Sequence, residues 1–333
     1  MAQVRNAGWW VAAARVLLAA GLAAPGCTFD SGGLPGDGGV TPDAPLPDAD
    51  PDAPDAPPGT PDARTVDASC AWPFTPRYFD PCGPALPPAS PELTLGSVGE
   101  YVFDTDSGML IDPLGATITP VSSIEGDMRV IWTSRFLVGA FATLRATGTR
   151  PLMVVSTGNI SILGTLDASS FRASDAFSIG AGANPSACPA SPPDPGQSCG
   201  AHGGSGGGGG GFGAGGGAGG EGGDGHSCGT DGVPGGAGGL ALAANPGSLR
   251  GGCAGADGAQ NNSGTSNRGI AGPGGGALHL VAFGSLSVSG VIHAGGAGGQ
   301  PGLGDRAGGG GGGTGGMIGL EATNILLNAA AVV

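Results

Sequence analysis

The chain has 333 residues, of which 74 are glycine and 29 are proline, while only 11% are charged and 5% are aromatic. Glycine and proline lie far above their usual share of a globular protein, yet no strict Gly-X-Y period is present, which excludes a collagen. The formal net charge of −14 and the lack of clustered basic residues exclude nucleic acid as a partner.

The first 26 residues have the layout of a secretory signal peptide. Arg5 and Arg15 stand ahead of a short apolar run at 16–24, and small residues follow it. The run is too short to cross a bilayer, which takes about 20 apolar residues. The segment that ends at Cys27 resembles a bacterial lipoprotein box. This resemblance implies lipidation of Cys27, export, and a lipid anchor in the bacterial outer membrane or cell surface; a plain secreted protein and an uncleaved anchor are the alternatives.

Residues 27–69 are predicted to form a disordered, acidic linker in which prolines alternate with aspartates. Proline fixes φ and removes a backbone donor, so neither helix nor sheet can propagate, and the like charges keep the segment extended. At about 3.1 Å per residue, the linker reaches on the order of 130 Å. We expect an inert spacer. Calcium capture by the aspartates is the alternative, although no EF-hand spacing supports it.

Six cysteines follow Cys27, and an even number in an exported chain predicts disulfides. Cys70 begins a predicted N-terminal cap segment at 70–92, and Cys82 lies within it. The other four cysteines lie in a later glycine-rich region. Sequence alone allows many pairings. Nearness along the chain favours three of them: Cys70–Cys82, Cys188–Cys199 and Cys228–Cys253.

The body is predicted to be all-β, because residues from about 93 onward alternate apolar and polar side chains between glycine turns and show no helical period. Three segments, beginning at Pro151, Ala277 and Met317, align as copies of one repeat. Such self-similarity predicts a parallel β-helix or solenoid, with a β-sandwich as the alternative. The rungs are assigned to 93–170, 277–296 and 317–333, with Phe136–Gly148 as one further copy. The aligned sets are Leu152/Leu278/Ile318, Val154/Leu280/Leu320, Ile160/Leu286/Ile325, Ile162/Val288/Leu327 and Asp167/His293.

Two glycine-rich insertions, at 171–276 and 297–316, leave the repeat at the same point. Insertions from equivalent corners of a solenoid emerge side by side on one face. Flexible surface flaps are one interpretation of such composition. The other rests on the Gly-Gly-X runs: three residues per turn is the polyproline-II period, and glycine lets such helices pack closely. The second interpretation predicts a polyglycine-II-like bundle.

No catalytic, cofactor-binding or metal site is predicted. A zinc site at Cys199, His202, His226 and Cys228 is disfavoured, because an oxidising compartment favours disulfides. Residues 104–108 resemble half a calcium loop and are interpreted as a polar turn. No Asp, Glu or Arg residues stack at matching repeat positions: Asp167 is isolated in its copy, and its counterpart His293 is expected to point outward.

Together, the lipobox-like Cys27, the Pro/Asp tract, the segment CAWPFTPRYFDPC, the rungs and the glycine-rich insertions resemble glycine-rich surface lipoproteins of myxobacterial type. The resemblance covers nearly the whole chain, and its motifs are architectural. We therefore expect a lipid-anchored, cell-surface structural or adhesive protein that is not an enzyme, in contact with the membrane and with matrix polysaccharide or a neighbouring cell. A polysaccharide-binding module is the second hypothesis, and a β-helix carbohydrate-active enzyme the third. The last rung, at 317–333, is expected to expose an apolar edge.

Overall fold

A computed structural model describes residues 72–81, 91–174, 176–188, 192–198, 203–223, 232–242, 247–260, 266–304, 306–329 and 331–333. All of them fall within one unit, Arg64–Val333. The described residues are all-β, without any α-helix, as the sequence predicts. No described segment is a helix that could span a bilayer. The lipidation candidate Cys27, the linker residues 27–69, and Cys70 and Cys82 lie outside the described residues.

Sixteen strands are present among the described residues, and two mixed sheets contain fourteen of them. The eight-stranded sheet has the order β1-β7-β10-β14-β9-β6-β5, with β16 paired to β14. The six-stranded sheet has the order β15-β11-β8-β2-β3-β4, and β12 with β13 forms a separate hairpin. The strands, in chain order, are β1 Leu93–Leu95, β2 Gly99–Asp104, β3 Met109–Ile111, β4 Thr117–Ile118, β5 Ser122–Glu125, β6 Met128–Thr133, β7 Phe136–Val138, β8 Ala142–Thr147, β9 Leu152–Ser156, β10 Ile160–Ile162, β11 Thr165–Asp167, β12 Phe171–Ala173, β13 Ala176–Ser178, β14 Leu278–Val288, β15 Val291–His293 and β16 Ile318–Leu327.

The register of the parallel strands is the one that the repeat alignment predicts. Leu278 of β14 pairs with Leu152 of β9 on one side and with Ile318 of β16 on the other. The further copy also takes its place, because Phe136 of β7 pairs with Ile160 of β10. A one-residue slip would move every apolar side chain to the other face, so the buried alternation holds the register. The remaining aligned pairs also match: Val154/Leu280/Leu320, Ile160/Leu286/Ile325, Ile162/Val288/Leu327 and Asp167/His293.

The two sheets share one apolar core. Inward side chains of the eight-stranded sheet, such as Phe136 and Leu280, belong to the same buried cluster as Phe103, Leu144 and Leu166 of the six-stranded sheet. Full burial of one such side chain stabilises the fold by about 1.5–3 kcal/mol. Strand β16 is less covered than the strand beside it, since its side chains Ile325 and Leu327 are about half exposed.

Segment 72–81 covers the second face of part of the large sheet. Trp72 packs edge-to-face against Phe79 and Phe283, and Phe79 packs in the same way against Trp132 of β6. Because of this cover, β6 and β9 are buried along their whole length rather than on alternate residues. The predicted cap segment therefore builds a second apolar cluster, which includes Met153 and the other residues beneath it.

The described residues of the glycine-rich insertions form an ordered bundle of extended segments joined by backbone hydrogen bonds. The bonds recur at every third residue: the amides of Gly206 and Gly209 donate to the carbonyls of Gly220 and Gly217, at 2.9 and 2.8 Å. The same segment also bonds a second neighbour, since Gly207 and Gly210 donate to Gly309 and Gly312. A three-residue period is that of polyproline II. The pattern supports the interpretation as a polyglycine-II-like bundle and contradicts the interpretation as flexible flaps.

A disulfide between Cys188 and Cys253 ties the insertion to itself across 65 residues of sequence. This pairing corrects the pairs Cys188–Cys199 and Cys228–Cys253 that nearness along the chain favours. The reason is the bundle: the amide of Asn184 donates to the carbonyl of Gly252 at 2.9 Å, which sets the two cysteine-bearing segments side by side. Cys199 and Cys228 lie outside the described residues.

Candidate functional site

The outer side of the six-stranded sheet presents polar residues in rows across its parallel strands. Tyr101, Leu144, Leu166 and Ile292 point into the core. Side chains alternate along a strand, so the residues on either side of these face outward. The register places them in two rows across β2, β8, β11 and β15, which we call the polar face: Glu100, Thr143, Thr165 and Val291 in the first row, and Val102, Arg145, Asp167 and His293 in the second.

Arg145 and Asp167 form a buried ion pair on the polar face. Nη1 of Arg145 donates to Oδ2 of Asp167 at 2.5 Å, and the arginine side chain is only 3% exposed. Nη2 donates to the hydroxyl of Ser178 at 3.1 Å, and the guanidinium lies 4.5 Å from the ring centre of Phe171. Both of these residues belong to the β12–β13 hairpin. Arg145 therefore attaches the hairpin to the sheet through these two contacts.

The ion pair corrects the expectation that no charged residues stack at matching repeat positions. Arg145 and Asp167 are direct register partners, and His293 is the next residue in the same row. The sequence signal was available in the further copy, FLVGAFATLRATG, once its second strand is aligned with TLDASS. His293 itself is exposed, as expected.

Several polar groups of the polar face have no side-chain partner among the described residues. The Thr143 and Thr165 hydroxyls, the Glu100 carboxylate and the His293 imidazole take part in no hydrogen bond or ion pair there. A hydroxyl can both donate and accept, and a carboxylate accepts through two oxygens. These groups are therefore available to a ligand.

Three large apolar side chains line the corner that leads into the polar face, and we call them the apolar corner. Val98, Phe141 and Leu163 are 74%, 78% and 44% exposed. Each stands two residues before a first-row position of the polar face. The corner is tight: a Cβ on Gly164 would collide with the carbonyl oxygens of Ala142 and Gly139, so only glycine fits there.

His279 and Glu321 form a second, covered polar pair beneath segment 72–81. Nε2 of His279 lies 3.4 Å from Oε1 of Glu321, while the backbone amide of Arg77 donates to Oε2 at 3.1 Å. The ring of Tyr78 packs edge-on to the imidazole at 5.0 Å, and the buried Nδ1 of His279 has no hydrogen-bond partner in the described part of the chain. Burial alone raises the pKa of Glu321, but the hydrogen bond and charge of His279, together with Arg77, hold it below its ordinary value.

The segment at 104–108, which resembles half a calcium loop, is a polar turn whose first carboxylate accepts hydrogen bonds from within the turn. Oδ1 of Asp104 accepts from the amide of Asp106, and Oδ2 accepts from the hydroxyl of Ser107 at 2.7 Å. Burial raises the pKa of Asp104, and these hydrogen bonds lower it to a net value below the ordinary one. Arg129 donates to the carbonyl oxygens of Thr105 and Asp106. Among the described residues, no group of three His, Cys, Asp or Glu could hold a metal ion.

The glycine bundle has an open cleft with a volume of about 630 Å³. Its lining is glycine apart from Glu221, Arg306 and Ala307, so it presents mostly backbone amide and carbonyl groups. The zinc candidates Cys199, His202, His226 and Cys228 lie outside the described residues.

A scan against protein-family models matched no family, and searches of curated proteins and of solved structures returned no match. The polar face and the apolar corner are therefore interpreted from their own chemistry.

Proposed function

We propose that this protein is a lipid-anchored structural and adhesive protein of the bacterial cell surface, without catalytic activity. Its strands would coil as a short parallel β-helix, on a stalk formed by residues 27–69. The parallel register supports this architecture over a sandwich, because residues of successive copies pair at equivalent positions through β10, β14 and β16. Among the described strands, antiparallel pairing, which is typical of sandwiches, is limited to the hairpin β12–β13 and to the pairs β2–β3, β3–β4 and β5–β6.

The observation that carries the proposal is the hydrogen-bonded glycine bundle. Its segments bond to one another and to the two β-sheets with their turns, which we call the strand region. The amide of Gly276 donates to the carbonyl of Ala168, and the amide of Gly316 donates to the carbonyl of Ala294. Such a bundle is held by backbone groups rather than by a side-chain core, and it leaves a surface with few side chains. We interpret it as a stiff element for display or contact at the cell surface.

The polysaccharide-binding alternative is favoured by the unpartnered hydroxyls and carboxylate of the polar face. An enzyme has less support. The arginine of the polar face is already paired with Asp167 and packed against Phe171. General acid–base catalysis by a glycosidase needs two carboxyl groups that flank the scissile bond. Among the described residues of the polar face, Asp167 is held in the ion pair, and Glu100 is the one carboxylate without a partner.

Intact mass and cell fractionation test the proposal, with the native protein compared with its Cys27→Ser variant. We expect a membrane-associated form that begins at Cys27 and carries added acyl mass, and we expect its loss in the variant. Cells that carry the variant should also attach less to surfaces. A soluble and unlipidated native protein, or one that retains Met1, would overturn the proposal of an anchored adhesive protein.

A further inference from the structure

We propose that the polar face and the apolar corner together form a binding site for a neutral polysaccharide chain that lies across the parallel strands. The inference rests on the proposed adhesive function and names its ligand class. The residues that carry it are Phe141 in the apolar corner and Glu100, Thr143 and Thr165 in the first row.

Phe141 exposes its aromatic ring to solvent, where a ligand could contact it. Phenylalanine is usually buried, yet Phe141 is 78% exposed and has no ring partner among the described residues. Its position is held by backbone, since its carbonyl accepts from the Gly99 amide at 3.1 Å and the Ala142 amide donates to Gly139 at 3.0 Å. An aromatic side chain has only two χ angles, so it offers large contact area at small entropic cost. The apolar C–H face of a sugar ring is suited to such a surface.

The polar groups repeat with the strands. Glu100, Thr143 and Thr165 each lie two residues beyond a residue of the apolar corner, and the register makes them neighbours on successive strands. Neighbouring strands are about 4.8 Å apart, which is close to the length of one sugar ring in a polymer. A chain of hydroxyl-bearing rings would thus meet one donor or acceptor per ring. Ligand sites commonly combine apolar area with a few placed polar groups in this way.

The charge of the face selects a neutral glycan. Arg145 is engaged by Asp167, which leaves Glu100 as the uncompensated charge of the described face. The chain as a whole carries −14, so an anionic polymer would be repelled. A protein partner is disfavoured by composition: a standard protein interface has a largely apolar centre, whereas the apolar part of this site is three side chains beside a polar face.

Affinity electrophoresis and calorimetry of the purified protein test the proposal. The probes are soluble neutral polysaccharides (a β-glucan, a xylan, a mannan and a dextran), with alginate and heparin as anionic comparisons. We expect binding to at least one neutral polymer and none to the anionic ones. Phe141→Ala should weaken that binding at least tenfold, and Phe141→Trp should retain it. Thr143→Ala combined with Thr165→Ala should weaken it several-fold.

Two controls match these changes. Leu303→Ala removes an apolar side chain that is 64% exposed elsewhere, and Ser161→Ala removes a hydroxyl from another strand; both should bind as the unmodified protein does. Thermal unfolding should be the same for Phe141→Ala, because the ring is exposed. The proposal is overturned if no neutral polymer binds, if only anionic polymers or proteins bind, or if Phe141→Ala leaves the affinity unchanged. The anchored adhesive function would survive that result, since fractionation of Cys27→Ser tests it separately.

Discussion

The strand region and the glycine bundle are two solutions to the problem of filling the interior of one protein. In the strand region, side chains such as Leu280 and Phe136 fill the space between two sheets, and the backbone bonds lie within the sheets. In the bundle, the backbone itself fills the space. A Cβ on Gly311 would collide with the carbonyl of Gly208, and one on Gly208 would collide with that of Ala237.

The two regions therefore respond in opposite ways to a change in side-chain size. The strand region gains free energy from burial of apolar area and loses it when a side chain is shortened. The bundle gains from dense backbone hydrogen bonding and loses when a side chain is added. Its ordering carries a large entropic cost, because glycine loses more conformational freedom on folding than any other residue. A covalent link is therefore expected to matter most there.

The largest effect is expected from removal of the disulfide that closes the bundle. Cys188→Ser combined with Cys253→Ser opens a 65-residue separation, and the chain-entropy model assigns about 4 kcal/mol to a loop of that size. Chemical denaturation should show this loss in the free energy of unfolding. Mass mapping of non-reduced peptides checks the pairing itself, and a dominant Cys188–Cys199 peptide would contradict the structure.

A slightly smaller loss is expected from a cavity in the strand region. Leu280→Ala shortens a fully buried side chain and should reduce the free energy of unfolding by about 3 kcal/mol, from lost burial and from the cavity. Leu326→Ala on β16 is the matched control, because that side chain is 58% exposed. The control should stay within about 0.5 kcal/mol of the unmodified protein. Equal losses in both variants would argue against the burial of β14.

In the glycine bundle, the addition of a side chain is expected to destabilise the fold. Gly311→Ala adds one methyl group against backbone that cannot move aside, and it should reduce the free energy of unfolding by about 2 kcal/mol. Gly220→Ala is the control, because a Cβ there meets no atom within 4 Å. It should be neutral, or stabilising by up to about 1 kcal/mol through the unfolded chain. Equal destabilisation by both changes would contradict the close packing.

The smallest effect concerns the pair beneath segment 72–81 and depends on pH. The pKa of Glu321 lies below its ordinary value of 4.5, so the unfolded chain binds the proton more readily. Its contribution is therefore present above the ordinary pKa and is lost as pH falls through the lowered one. Glu321→Gln should reduce stability at neutral pH, and the difference from the unmodified protein should shrink on acidification through that window.

Urea unfolding at a series of pH values measures this difference. Ser287→Ala on the neighbouring strand removes no titratable group, so any change it causes should be the same at every pH. A difference for Glu321→Gln that stays constant as the solution is acidified would contradict the assigned role of the carboxylate.

The sequence alone predicts the all-β class and the register of the parallel strands, including the alignment of Leu152, Leu278 and Ile318. Alternating apolar residues carry this information locally, because a slip by one residue would expose the whole apolar set. The outward position of His293 follows from the same alignment, since its counterpart in the other copy is the aspartate at 167.

Tertiary structure alone decided the rest. The Cys188–Cys253 pair joins residues 65 apart in the sequence, and the contacts of Arg145 with Ser178 and Phe171 place the β12–β13 hairpin against the sheet. The choice between flap and bundle was also open, because glycine composition suits both and only long-range backbone bonds distinguish them. The physical reason is common to all of these: side-chain periodicity specifies a face of one strand, whereas the approach of distant segments depends on the space that the whole fold leaves between them.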